Sequence, residues 1–260
     1  MGNWIARKLF ELNKTNFDRL LEFKIPGILV RNFMPAELCA VIGKRLREGS
    51  FQNYSHLKDI PVNQLGLCHN QYAHDDKQVY FSKKPEAQDA IDDIYDGLGI
   101  NPVSMVIDAI RTGADRKVDI FDEPGYGPYF AGSFRQFRGH GKLHVDNARL
   151  HIKKPWAVTE ITRQLTWNIY YSMSDDGGEL VIYDTVHTAS NEHMKVPGDY
   201  YFPYEVLEDK EGLRIQPQVG DLIIFNTFNF HEILGNPDGY RISQTSFIGQ
   251  REDKSLGLWS

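Results

Sequence analysis

The sequence predicts a mainly β protein with flanking helices, its strands forming a sandwich or barrel that the helices buttress. Three observations carry this prediction. Short segments rich in aromatic and β-branched residues recur at even spacing from Tyr129 onward, with Gly and Asp between them. Helical periodicity is confined to the first half of the chain. The regular strand–helix alternation of a parallel α/β sheet is missing.

Taken in order, the first element is a helix opened by Pro35 in the first turn, with Leu38, Val41, Ile42 and Leu46 on one face and Gly49 as its stop. Residues 52–84 are polar and without clear periodicity, and read as a long loop with short extended pieces. Within them, His74-Asp75-Asp76 reads as a solvated turn. A second helix is predicted from Pro85 to Gly97, with Ala90, Ile91, Ile94 and Tyr95 at helical spacing and Asp92, Asp93 and Asp96 on a solvated face. Asn101-Pro102 caps and opens a third, which ends near Gly113. Strands are predicted over residues 130–137, 164–172, 177–184, 220–225, 229–234 and 241–248, with the turn Asp175-Asp176-Gly177-Gly178 between the second and third. Residues 185–204, polar and then aromatic, form an excursion over the barrel mouth. The organisation expected is one domain over residues 1–260, with 1–128 as helical and loop support and 129–250 as the β core.

Composition narrows the function classes. With 41% hydrophobic and 12% aromatic residues the 260-residue chain can bury a large core, which excludes intrinsic disorder. Lys+Arg 29 against Asp+Glu 35 gives a net charge of −6, which argues against nucleic-acid binding through a basic face. The two cysteines, Cys39 and Cys68, cannot build a disulfide framework or a four-thiolate zinc site, and fit a reducing cytoplasm. Charges interrupt the apolar start at once, and no run is long enough to span a bilayer. A cytoplasmic protein with no nucleic-acid or membrane partner is the expectation.

One constellation carries chemistry. In a strand, residues two apart share a face, so His144 and Asp146 can bind one ion while Val145 points away. A His-x-Asp pair is a weak signal by itself. The segment Gly220-Asp-Leu-Ile-Ile-Phe-Asn-Thr-Phe-Asn-Phe-His231 strengthens it, because a strand, a turn and a second strand end on another histidine. Two histidines and one carboxylate on neighbouring strands match the facial triad of non-haem Fe(II) oxygenases, and the lack of thiolates disfavours structural zinc. Further on, Arg241, Ser243 and Thr245 alternate and can face inward together. A guanidinium binds a carboxylate through two parallel hydrogen bonds, which suits the distal acid of a dicarboxylate, and Ser243 can add a hydroxyl. Arg135, Gln136 and Arg138 precede the pair, and one of them can reach a carboxylate of cosubstrate or substrate. His140 and His151 flank the pair as loop or surface residues. Trp167, Asn168 and Tyr170 sit on a strand that lines the barrel in a register left open, and Tyr200, Tyr201 and Tyr204 pack aromatic surface or close over substrate.

His144-x-Asp146, His231 and Arg241-x-Ser243 together resemble the Fe(II)/2-oxoglutarate-dependent dioxygenase superfamily over roughly residues 129–250. The run Leu143-His-Val-Asp-Asn147 and the closing Leu258-Trp-Ser260 are similar to its stand-alone small-molecule enzymes, the amino acid and N-acyl amino acid hydroxylases and the related non-haem iron halogenases. The resemblance implies a double-stranded β-helix (a jelly-roll, cupin-like core). It implies Fe(II) held by His144, Asp146 and His231, 2-oxoglutarate anchored by Arg241 and Ser243, and O2 as oxidant. The halogenases of this group are known for a glycine where this chain has Asp146, so the resemblance implies hydroxylation of an amino acid or its derivative. Desaturation, cyclisation or halogenation is the alternative within the enzyme class, and a non-catalytic jelly-roll metal-binding or sensor protein is the alternative outside it.

Overall fold

The computed structural model describes residues 3–49, 51–53, 62–174, 176–235 and 239–260. Residues 54–61 of the polar stretch and Asp175 of the predicted turn lie outside the described residues. Five helices occur among them: α1 (Lys14–Leu21), α2 (Ala36–Glu48), α3 (Lys77–Tyr95), α4 (Pro102–Ala114) and α5 (Ala148–His151). The first-half strands are β1 (Gly27–Val30), β2 (Gln52–Asn53), β3 (Val62–Leu65), β4 (Val118–Ile120), β5 (Asp122–Glu123) and β6 (Gly127–Pro128). The remainder are β7 (Ser133–Phe137), β8 (Gly141–His144), β9 (Arg163–Met173), β10 (Leu180–Val186), β11 (Gly212–Ile215), β12 (Leu222–Asn226), β13 (Asn229–Ile233), β14 (Arg241–Gln250) and β15 (Leu256–Trp259).

Two sheets face each other as a double-stranded β-helix. The major sheet runs β1-β12-β9-β14-β7-β3-β2, with β15 also on β14 and β4 on β15; the minor sheet runs β11-β10-β13-β8. Strand alternation sorts β9 cleanly. Leu165, Trp167, Ile169 and Tyr171 join Phe17, Leu20, Ile42 and Ile91 in the core under the helices. Tyr170 joins Leu180, Ile182, Ile223 and Phe225 between the sheets. The outer face of the minor sheet is covered by the excursion and the turn after it, whose Phe202, Val206 and Leu207 pack on Leu143, Val145, Val181, Tyr183 and Phe230. Each large apolar side chain buried this way contributes about 1.5–3 kcal/mol. No described helix is long and apolar enough to cross a membrane.

The first half differs from expectation in instructive places. Residues 1–128 supply strands as well as helices, with β1 antiparallel to β12, β3 antiparallel to β7, and β4 parallel to β15. The buried face of α2 is Cys39, Ile42, Gly43 and Leu46, while Val41 is exposed. Helix α3 opens at Lys77, not Pro85, because the Asp76 side chain accepts from the Gln78 N–H at 2.9 Å and caps it. Its polar first turns hide a buried anchor, Tyr80, whose hydroxyl donates to the Ser260 carbonyl at 2.9 Å. Pro85 is tolerated inside the helix. Helix α4 ends at Ala114, next to Gly113 as expected, but the glycine is not itself the cap. A Cβ there would stand 2.8 Å from the Leu12 side chain, so the glycine permits close packing and left-handed Asp115 caps the helix.

His69, in a single 3-10 turn (His69–Gln71), is fully buried among the rings of Trp156, Tyr80 and Tyr129 at 4.4, 5.4 and 5.6 Å. Neither ring nitrogen has a hydrogen-bond partner. Burial pushes its pKa down to about 3 from 6.5. The unfolded chain therefore takes up a proton that the folded chain refuses. Stability from the neutral ring is complete above about pH 6.5 and is lost as pH falls towards 3, amounting to about 2 kcal/mol by pH 5. Urea unfolding at pH 7.5 and 5.0 should show this loss, and His69→Phe should shrink the pH difference by about 2 kcal/mol, leaving the share of other buried histidines such as His144; an unchanged pH dependence would contradict the assignment.

Candidate active site

Strands β8 and β13 are neighbours, and their register sets His144 opposite His231. Asp146 follows the end of β8. It is held by the turn between β12 and β13: its N–H donates to the Thr227 carbonyl at 3.1 Å, and its carbonyl accepts from Thr227 Oγ1 at 2.9 Å. Thr227 carries no sequence signal for this role, because the contact exists only once the strands have paired. The three side chains offer donor atoms that all lie within 4.8 Å of one another. His231 Nε2 and Asp146 Oδ2 are 3.6 Å apart, a separation that fits two ligands each about 2 Å from one ion.

Tautomers decide what the group can do. His144 Nδ1 donates to the Lys142 carbonyl at 2.7 Å and His231 Nδ1 to the Asn229 carbonyl at 2.9 Å. Both rings therefore keep the proton on Nδ1 and present a bare Nε2, the arrangement a metal ion needs. Burial, reinforced by the facing His231, pushes His144 down to about 4. Burial alone would raise Asp146, but the facing His231 and His144 rings and the Arg135 charge outweigh it and hold the carboxyl below its usual range. Two bare Nε2 nitrogens beside an ionised carboxylate form a donor set that fits a divalent cation such as Fe(II).

A second cluster, His151, His187 and Glu192, has similar composition but different wiring. Glu192 Oε2 accepts from His187 Nε2 at 2.7 Å and His151 Nε2 at 3.3 Å. The Asn147 amide nitrogen donates to His187 Nδ1 at 3.3 Å, while its oxygen accepts from the Leu150 N–H. That leaves the His187 proton on Nε2, aimed at the carboxylate. The cluster is a hydrogen-bonded latch between α5 and the excursion. Sequence reading placed His151 among loop or surface residues; the structure half-buries it in this latch.

Beside the first group lies a set of buried polar atoms without a partner among the described residues. Arg241 is buried with its guanidinium at 5.3 Å from the Phe137 ring and 5.2 Å from the Tyr170 ring. Its Nη1 donates to the Gly178 carbonyl at 3.1 Å, a group aimed by the left-handed backbone of Gly177 and Gly178. Arg241 Nε, Ser243 Oγ and Tyr170 Oη are buried without partners. Ser243 and Tyr170 are paired across β14 and β9, so the unsatisfied atoms share one face between the sheets. An unmet buried donor costs about 1–3 kcal/mol, and a carboxylate at this point would meet all three.

A family model described as carrier-protein-independent halogenase WelO5 matches residues 8–259 of this chain. The chain belongs to the WelO5 family. Relatives include the leucinostatins biosynthesis cluster protein S of Purpureocillium lilacinum, 32% identical over 143 residues that cover 51% of this chain and 58% of the relative. The L-gamma-glutamyl-L-propargylglycine hydroxylase of Streptantibioticus cattleyicolor is 23% identical over 168 residues, 63% of this chain and 60% of the relative. The chain thus spans about three-fifths of the length of these curated relatives. Among solved structures, an N-substituted L-amino acid dioxygenase from Burkholderia ambifaria superposes with a TM-score of 0.62 at 16% identity, covering 95% of this chain and 91% of that one. The likeness establishes the shared jelly-roll fold.

Within this WelO5-family site the remaining predicted residues separate by strand register. Asn168 and Tyr170 face the space between the sheets, and Trp167 faces the helices. Arg135 is paired with Ser243 and shares its face, whereas Gln136 turns the other way and accepts from the Asn63 amide at 3.2 Å. Arg138 is exposed. His140 donates from Nε2 to the buried Glu232 at 2.8 Å on the outside of the minor sheet, where Tyr183 and Tyr204 also donate to Glu232. Of the excursion tyrosines, Tyr200 comes nearest the site, its ring 5.5 Å from His144 and its hydroxyl accepting from the Lys142 N–H. Tyr201 lies under the Lys142 ammonium.

Proposed function

We propose that this chain is an Fe(II)- and 2-oxoglutarate-dependent oxygenase that hydroxylates an unactivated C–H bond of a small molecule, an amino acid or amino acid derivative. The observation that carries this reading is the adjacency of two complementary sets. The bare Nε2 atoms of His144 and His231 stand with the Asp146 carboxylate, and the unpartnered atoms of Arg241, Ser243 and Tyr170 lie on the facing sheet. The first set would hold the metal, and the second the far carboxylate of the cosubstrate. When bound, the metal and cosubstrate would supply the oxidising power, with O2 reduced at the expense of 2-oxoglutarate, which would be converted to succinate and CO2. The chain's own contribution is positioning: Thr227 fixes Asp146, the carbonyls of Lys142 and Asn229 fix the imidazoles, and the apolar walls of Ile182, Ile223 and Phe225 exclude water.

The family model's description names a halogenase, and Asp146 supports hydroxylation over halogenation in this member. A carboxylate at that position fills a coordination place and adds negative charge, both of which disfavour a chloride ligand. The relatives named as a hydroxylase and as the L-isoleucine 3(1)-dioxygenase of Pantoea ananatis support the substrate class. The test is incubation with Fe(II), 2-oxoglutarate, air and chloride across a panel of free and N-substituted amino acids. Succinate release stimulated by a panel member, with a product heavier by one oxygen atom, is the expected result. A chlorinated main product would move the chain to halogenation, and no succinate with any member would contradict the oxygenase reading.

A further inference from the structure

We propose that His187 is a positioning residue for the metal site: through Asn147 it holds the turn that carries Asp146, and so ties that ligand to the excursion over the barrel mouth. This rests on the reading of His144, Asp146 and His231 as metal ligands and adds to it how one of them is aimed. Asp146 needs such help more than its two partners. His144 and His231 lie within paired strands, whereas Asp146 stands beyond the end of β8, outside the ladder. Its direction is therefore set by the backbone of residues 146–148 and by what fastens them.

The fastenings form a closed ring. The Asp146 N–H donates to the Thr227 carbonyl at 3.1 Å, and the Thr227 hydroxyl donates back to the Asp146 carbonyl at 2.9 Å. Phe228, the next residue, accepts through its carbonyl from the His187 N–H at 2.7 Å. The His187 ring then reaches back to the turn, where its Nδ1 accepts from the Asn147 amide at 3.3 Å. Asn147 follows Asp146 in the chain, which closes the ring. The Asn147 oxygen is committed to the Leu150 N–H at the start of α5, so its nitrogen is the atom that faces His187. Gln164 braces the same turn from the other side: its Oε1 accepts from the Ala148 N–H at 2.9 Å and its carbonyl from the Thr227 N–H at 3.2 Å. Asn147, Gln164, His187 and Thr227 are all buried.

His187 is also the member of the ring that reaches outward. Its Nε2–H donates at 2.7 Å to Glu192 of the excursion, which takes His151 of α5 at 3.3 Å as well. A neutral imidazole accepts at one nitrogen and donates at the other, so the ring links Asn147 and Glu192 as a rigid spacer. The rings of Phe202 and Phe230, at 5.5 and 6.0 Å, hold its plane. Hydrogen bonds behind a metal's ligands orient those ligands, and here one such path leads from Asp146 to a segment that covers the site.

The test is Mn(II) titration of the metal-free protein followed by electron paramagnetic resonance, with 2-oxoglutarate affinity measured separately at saturating Mn(II). His187→Phe keeps the aromatic packing and removes both ring hydrogen bonds; it should raise the Mn(II) Kd by about tenfold, the low end for losing an outer partner of a metal site. Its 2-oxoglutarate Kd should match the wild type, because the Arg241 pocket is untouched, whereas a general loosening of the fold would weaken both. His187→Gln, whose amide supplies an acceptor and a donor, should recover part of the Mn(II) affinity. Glu192→Ala, at the half-buried end of the latch, leaves the ring in place without its outer partner and should raise the Mn(II) Kd by about threefold, the size of one hydrogen bond. Wild-type Mn(II) affinity in His187→Phe, or parallel loss of 2-oxoglutarate binding in it, would overturn the assignment. Should His187→Phe fail to fold, wild-type affinity in Glu192→Ala would overturn it. Failure of the wild-type chain to bind Mn(II) would instead remove the metal-ligand reading on which the assignment rests.

Discussion

Asp146→Ala is expected to lower substrate-dependent succinate release by at least about a hundredfold, the upper range for losing even an outer-shell partner of a metal site. Removing the carboxylate takes away one of three donors and leaves His144 and His231, whose Nε2 atoms alone hold a divalent ion poorly. The fold should survive, because Asp146 is tied to Thr227 through its backbone and not its side chain. Thermal unfolding should therefore change little while metal content and turnover collapse. Asp146→Gly assayed with chloride is the sharper companion. It opens the position that the related halogenases leave open, so it should lose hydroxylation and gain, at most, slow chlorination. Undiminished hydroxylation in either variant would mean that Asp146 is not a ligand.

Arg241→Leu should raise the Kd for 2-oxoglutarate by at least about thirtyfold, since truncating one partner of a buried charge pair costs about 2–5 kcal/mol. Leucine fits the apolar surroundings of Phe137 and Tyr170, so the variant should fold. Arg241→Lys keeps the charge but not the fork and should fall between the two. Ser243→Ala, which removes one hydroxyl donor, should weaken binding by about five- to tenfold. Isothermal titration with 2-oxoglutarate in the presence of Fe(II) or Mn(II) separates these values. Equal affinity for wild type and Arg241→Leu would place the cosubstrate elsewhere.

The candidate donors were legible in sequence because strand alternation is a local rule. His144 and Asp146 stand two apart, as do Arg241 and Ser243, and each pair could be placed on one face without knowing its partners. Tyr170 was different. Its strand is long and buried along nearly its whole length, so only pairing with Ser243 shows that it faces the pocket while Trp167 faces the helices. The face of Arg135 is likewise set only by its pairing with Ser243, on a strand distant in sequence. Thr227 acts through its backbone carbonyl and hydroxyl on a loop brought near by folding. The short strands β1 and β4 pair with β12 and β15, and segments of three or four residues carry too little pattern to announce themselves. Helix α3 starts eight residues before Pro85, the residue that signals a start in the sequence, because Asp76 of a polar turn caps it.

Anaerobic titration of the metal-free protein asks whether one site holds both a divalent metal and 2-oxoglutarate. Fe(II) followed by 2-oxoglutarate should produce the weak visible charge-transfer band of the chelate, saturating at one equivalent per chain. Arg241→Leu should shift the titration to higher 2-oxoglutarate, and Asp146→Ala should weaken or remove the band at the same Fe(II) concentration. No band in the wild-type protein, together with no slow succinate formation on admitting air, would contradict the account.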